Sequence, residues 1–193
     1  NPNLSVKSVK DLIALAKAKQ GHLNYGSTGI GTTNHLAAEL FKRMAAVEMV
    51  NVTYKGGGPA VVDLIAGNIQ MYFSTIPVAL NQTRAGRLRA LAVTSLKRVP
   101  VVADVPTVAE SGLTDFDVVG WFGLFAPAST PRAVIENLNS ELVKILQMSD
   151  VQDKFSAHGL ISGGGTSNEL GKFLRAEIRK WRALIKDAGI TLG

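Results

Sequence analysis

Residues 24–35, NYGSTGIGTTNH, constrain this chain more than any other stretch. Leu23 to Tyr25 ends a short apolar run, and Gly26, Gly29 and Gly31 follow within six residues. From Asn34 onward Leu36, Ala37, Leu40, Phe41 and Met44 recur on one helical face. Strand, glycine loop and helix start, in that order, predict an α/β unit. Glycine lets backbone N–H groups approach a ligand with no side chain between. The first N–H groups of a helix have no internal partners and carry the positive end of its dipole. Such a loop suits an anion, and the hydroxyls of Ser27, Thr28, Thr32 and Thr33 add donors. The plain alternative is a strand-to-helix turn, capped by Thr32 or Thr33, that holds nothing.

Neither nucleotide fingerprint is complete. Gly26 and Gly31 have the spacing of a phosphate loop, with Thr33 at its Ser/Thr position, but Thr32 stands where the lysine belongs. Gly29 and Gly31 open a dinucleotide pattern, but Asn34 replaces its third glycine. A small carboxylate held by N–H and hydroxyl groups fits better.

The rest of the chain repeats the strand–helix alternation. A helix over Val6 to Lys19 precedes the strand at 22–25, and the helix after the glycine loop runs from Thr33 to Ala46. Met49 to Tyr54 reads as a strand, Lys55 to Pro59 as a second glycine loop, and Ala60 to Ala66 as a helix. A strand over Gln70 to Ser74, a helix over Pro77 to Ala85 and a buried-type strand over Arg87 to Thr94 follow. This pattern predicts a largely parallel sheet. Beyond it come Pro100, Pro106, a short helix at Thr107 to Ser111 and a long strand, Phe116 to Ala126. Three helices then close the chain: Pro131 to Gln147, Asp150 to Ala157 and Ser167 to Ala188. A boundary falls near 112–120. One strand is no sheet of its own, so Phe116 to Ala126 either joins the first sheet or needs partners from elsewhere.

Composition excludes several function classes. With 193 residues, 46% of them hydrophobic, the chain can bury a good core, and no apolar run reaches the ~18 residues of a membrane helix. Zero cysteines exclude disulfide and thiol chemistry. The net charge of +6 lies mostly in residues 1–115, which carry twelve Lys/Arg against seven Asp/Glu. Those basic residues are scattered, without interleaved aromatics, which argues against nucleic acid. No two of His22, His35 and His158 have metal spacing, so no metal site is read. His35 reads as a packed or capping histidine more readily than as a contact. Lys55 is either a carboxylate contact or an exposed turn lysine. Ser27 lacks the Gly-x-Ser-x-Gly elbow and a His/Asp pair, and Asp63 and Glu39 fall on separate helices, so no catalytic set emerges. No cofactor is read.

Several stretches, in order, carry a family resemblance. They are LNYGS leading to Gly29, Gly31 and His35-Leu36; VTYKG at 52–56; LRALAVTS at 88–95; DVPTVAESG at 104–112; and Trp121 with Ala126-Pro127. Together they resemble the solute-binding receptors of tripartite tricarboxylate transporters, the Bug-type family, over essentially the whole chain. The resemblance implies a periplasmic-binding-protein fold of the Venus-flytrap, type II-like kind. It makes residues 1–115 the second domain. Residues 116–193 become a crossing strand plus the helical C-terminal part of the first domain, with an N-terminal part of that domain outside this sequence. It implies a non-enzymatic, exported, periplasmic receptor for a small organic acid, whose leader is absent from this sequence, working with membrane transporter subunits. A periplasmic ligand sensor acting through a signalling partner is the alternative. An effector-binding domain of a transcription regulator is a third reading, for which no DNA-binding module is encoded. Ligand contacts carried over are Ser27, Thr28, Gly29, Ile30, Gly31, Thr32 and Thr33, with Ser74 and Thr75 after the 70–74 strand. Hydroxyls at 74–75, in place of an acidic or amide group, lean towards a plain carboxylate over an amino acid, and Ile30 makes one contact apolar. Incomplete apolar cover on the Trp181 helix and the 116–126 strand implies self-association.

Overall fold

The computed structural model describes residues 1–191. The chain divides into two compact units: Asn1–Gly120 together with the chain from Leu184 onward, and Trp121–Ala183.

The first unit holds a three-stranded parallel sheet in the order β2-β1-β3, with β1 at Asn24–Ser27, β2 at Val50–Thr53 and β3 at Met71–Tyr72. Helix α1 (Val9–Ala18) precedes β1. Its start is conventionally capped: Ser8 Oγ accepts from the Asp11 N–H at 3.1 Å, and Asp11 places an acid in the first turn. Helices α2 (Thr33–Ala45), α3 (Gly57–Ala66) and α4 (Ile76–Arg84) each follow one strand. Because the strands are parallel, the three strand-to-helix loops lie at one edge of the sheet. The order places β2 and β3 on opposite sides of β1, so the connections diverge there. This is the switch point at which open α/β sheets bind ligands.

Side-chain alternation along β1 explains the packing. Tyr25 is fully buried, and its hydroxyl donates to Glu39 Oε1 of α2 at 2.6 Å. Gly26 faces the other way, where a Cβ would lie 2.8 Å from Ile69 Cδ1 and 3.2 Å from Tyr72 Cδ2. A side chain there would push Ile69 Cδ1 aside and crowd the Tyr72 ring, between β1, β3 and α3. Val61, Leu64, Ile69 and Leu88 form the core on that side. Behind α2, Phe41, Phe73 and Phe116 form an aromatic trio with centroids 5.9–6.5 Å apart.

Two predicted strands are not formed. Residues 87–94 make a single parallel bridge, Val93 to Thr107, while Leu88 and Val93 are buried by packing. Their apolar character reflects burial, and beyond that bridge no ladder forms among the described residues. Phe116–Ala126 is also no strand among the described residues. Phe116 and Val118 are buried, and the Val118 N–H donates to the Thr94 carbonyl, but Val119, Phe122, Leu124 and Phe125 are exposed. Apolar content makes a strand only where a partner supplies hydrogen bonds. The short helix predicted at 107–111 is a turn. Its Thr107 and Glu110 nonetheless bond reciprocally in the manner of a capping box: the Thr107 N–H donates to Glu110 Oε2 at 2.8 Å, and the Glu110 N–H to Thr107 Oγ1 at 2.9 Å.

The second unit contains α5 (Arg132–Gln147), α6 (Ser149–Ala157) and most of α7 (Ser167–Asp187). α7 opens on a capping box between Thr166 and Glu169, and Trp121 meets Phe173 edge-on at 5.3 Å. Phe122 and Ile161 stand largely in solvent. Among the described residues no helix is long and apolar enough to cross a membrane.

Candidate functional site

The site is built at the carboxyl edge of the parallel sheet. The β1–α2 loop turns through Gly29 at φ 140° and Gly31 at φ 79°, conformations that side chains oppose. Thr32 takes the N-cap position of α2 without capping it. Its hydroxyl lies 2.6 Å from both the Gly29 carbonyl and Asn34 Oδ1, and its single proton serves one of them at a time. The Leu36 N–H bonds the Thr32 carbonyl, while the N–H groups of Thr33, Asn34 and His35 have no partner within the described residues.

The same omission recurs at the next two loops. α2, α3 and α4 all start without a side-chain cap bond and without an acidic residue in the first turn. α1 and α7 have both an N-terminal bond to a hydroxyl and an acid, while α5, in the second unit, has neither a cap bond nor an acid. Three helix starts at one sheet edge therefore present unneutralised positive dipole ends. Gly56 at φ 108°, Gly57 and Gly58 open α3 with no side chains in the way, and Lys55 beside them is exposed.

The predicted contacts divide by exposure. Ile30 is half exposed and Thr33 and Thr75 are exposed, while Thr28, Gly29, Gly31, Thr32 and Ser74 are half-buried. Ser74 Oγ donates to the Thr75 carbonyl at 3.1 Å, and Thr75 is the uncapped start of α4. Ser27 differs from the rest: it is fully buried, and its hydroxyl has no partner. Among the described residues, no cluster of His, Cys, Asp and Glu could hold a metal.

Two residues that sequence reasoning passed over tie the edge together. The Asn34 Oδ1 accepts the Thr28 N–H at 3.1 Å, and its Nδ2 donates to the Tyr72 hydroxyl at 3.1 Å and to Thr28 Oγ1 at 3.0 Å. Thus α2, the β1–α2 loop and β3 share one side chain. Its signal was present in the sequence, since Asn34 is the residue that breaks the dinucleotide pattern. Burial raises the Tyr72 phenol above its ordinary range, and the Asn34 bond opposes this. Tyr54 hydrogen-bonds Asp63 at 2.8 Å; burial, that bond and the carboxylate's charge push its phenol up to about 12.

His35 is buried, and its Nδ1 accepts the Gly31 N–H at 3.3 Å. Accepting there requires an unprotonated Nδ1. Burial holds the imidazole below its usual range; the Glu39 carboxylate opposes this and Lys42 adds to it. His35 thus acts as the packed histidine that the sequence suggests, and it braces the glycine loop.

Comparison with known proteins identifies a family. The family model described as "Tripartite tricarboxylate transporter family receptor" matches residues 1–190. The chain belongs to this receptor family. Protein BugT of Bordetella pertussis is 34% identical over 192 residues, covering 100% of this chain and 59% of that protein. The R. palustris protein Rpa4515, solved with adipate, shares 36% identity at a TM-score of 0.90, over 98% of this chain and 63% of that one. A structure described as a periplasmic transporter shares 32% identity at a TM-score of 0.89, over 100% of this chain and 64% of that one. The chain therefore spans somewhat over half the length of the receptors it matches. Its α/β sheet is part of the periplasmic-binding-protein fold of those solved receptors, which are binding proteins and not enzymes.

Proposed function

We propose that this chain carries one ligand-gripping face of a periplasmic solute-binding receptor for a small carboxylate. The receptor would deliver its acid to membrane subunits of a tripartite tricarboxylate transporter. The observation that carries this reading is the set of three uncapped, acid-free helix starts, α2, α3 and α4, at one sheet edge. Backbone donors and dipole ends favour an anion there, and the nearby residues provide hydroxyls and no carboxylate to meet a cation. The adipate held by Rpa4515 supports the ligand class. We assign the contacts to Thr28, Gly29, Ile30, Gly31, Thr32, Thr33, Ser74 and Thr75, with Ser27 beneath the loop. Residues 1–115 constitute the gripping domain in this reading. The close of the first unit's leading segment at Gly120 supports a division near there.

Calorimetric titration with adipate, shorter dicarboxylates, tricarboxylates, aromatic acids, amino acids and a sugar tests the reading. A saturable response confined to carboxylates is the expected result. A best ligand that is a sugar or an amine would overturn it.

A further inference from the structure

The Tyr72 hydroxyl occupies an unusual place. It accepts from Asn34 Nδ2, in the first turn of α2, at 3.1 Å. It also lies 3.4 Å from where a Cβ on Gly57, the first residue of α3, would stand. One phenol oxygen thus sits between the starts of two uncapped helices, at the sheet edge where the strand connections diverge.

The direction of the Asn34 bond is fixed by chemistry. The Thr28 backbone N–H can only donate, so the Asn34 atom facing it, at 3.1 Å, is the oxygen. The atom facing Tyr72 is then the amide nitrogen, which donates. A hydroxyl that accepts keeps its own proton to give away, and that proton has no acceptor among the described residues. Burial favours the protonated phenol. Tyr72 is therefore a neutral donor aimed by Asn34 in a region of positive backbone potential.

We propose that the Tyr72 hydroxyl donates to the carboxylate ligand, and that Asn34 is the positioning residue that leaves its proton free. This rests on the carboxylate-receptor reading above and adds a side-chain donor to what is otherwise a grip of backbone and small hydroxyls. Asn34→Asp tests the direction with almost no change of shape. The substituted carboxylate still accepts from the Thr28 N–H, but it cannot donate to Tyr72. The phenol then turns its proton to that carboxylate, and the ligand meets a negative charge.

The experiment is calorimetric titration of the chain with adipate, using wild type, Tyr72→Phe and Asn34→Asp, with thermal midpoints measured alongside. Tyr72→Phe should weaken adipate about ten- to a hundredfold, as expected for one bond to a charged oxygen, with little change in midpoint. Asn34→Asp should weaken it at least as much at pH 7. Its deficit relative to wild type should shrink as the pH approaches the carboxyl range, about 4. If Asn34→Asp fails to fold, Tyr72→Phe alone decides. Wild-type affinity in Tyr72→Phe overturns the Tyr72 assignment while leaving the receptor reading intact. No response of wild type to adipate or any other acid overturns both.

Discussion

The Tyr25 hydroxyl donates to Glu39 Oε1 at 2.6 Å and so joins the central strand to α2 from inside the core. Lys42 pairs with the same carboxylate at 2.9 Å. The two bonds differ in setting, since Tyr25 is fully buried while the Lys42 and Glu39 side chains keep 17% and 14% of their surface exposed. Tyr25→Phe keeps the ring and removes only the bond to a charged acceptor. It should cost about 1.5–3 kcal/mol by urea unfolding. Lys42→Ala, at a partly exposed pair, should cost under about 1 kcal/mol. Equal losses would show that burial does not govern the pair.

Gly26 is held by packing and not by backbone conformation. Gly26→Ala should destabilise by about 1–3 kcal/mol, because its Cβ would meet Ile69 Cδ1 at 2.8 Å. Ile69→Val removes that atom. The double variant should therefore lose less than the sum of the two single losses, and strict additivity would show that the clash relaxes elsewhere.

His35 makes stability depend on pH. Its folded pKa lies below the ordinary 6.5, chiefly through burial, so the unfolded chain takes up the proton first as pH falls. Its contribution is present above about 6.5 and is lost as pH drops towards the folded pKa. Glu39, Lys42 and the buried Tyr25 are the groups around it. Wild type should lose stability between about pH 7 and 5 more steeply than His35→Gln. Parallel curves from denaturant unfolding would remove His35 from the account.

Phe122, Leu124 and Phe125 are exposed at 96%, 68% and 60%. Apolar surface of this kind drives association. Light scattering should show a mass that rises with concentration, and Phe122→Ser with Leu124→Ser should suppress it. A strict monomer at high concentration would contradict this.

The glycine loop and α2 are legible in the sequence because local chemistry dictates them. Gly29 and Gly31 take backbone angles that other residues resist, and Leu36 to Met44 show a single helical period. Phe116 to Ala126 misleads because strand formation is not local. Its apolar run satisfies the propensity, but only a partner can complete the ladder, and the described residues supply none. Tyr72 and Asn34 are hidden for a related reason. They are 38 residues apart, and the bond between them exists only once β3 pairs with β1. Asn34 reads as a broken motif when it is the residue that fastens the loop. The three uncapped helix starts do leave a trace, since the absence of Asp and Glu just after each predicted strand is visible in the sequence.

In the proposed function an organic anion is held at the carboxyl edge of the β2-β1-β3 sheet. Titrating adipate into isotopically labelled protein, and following backbone amide resonances, tests it directly. Saturable shifts concentrated at Thr28–His35, Gly56–Gly58 and Ser74–Ile76, absent with an uncharged diol of the same length, are the expected result. Shifts that gather instead on α5 and α6, or none at saturating adipate, would contradict it.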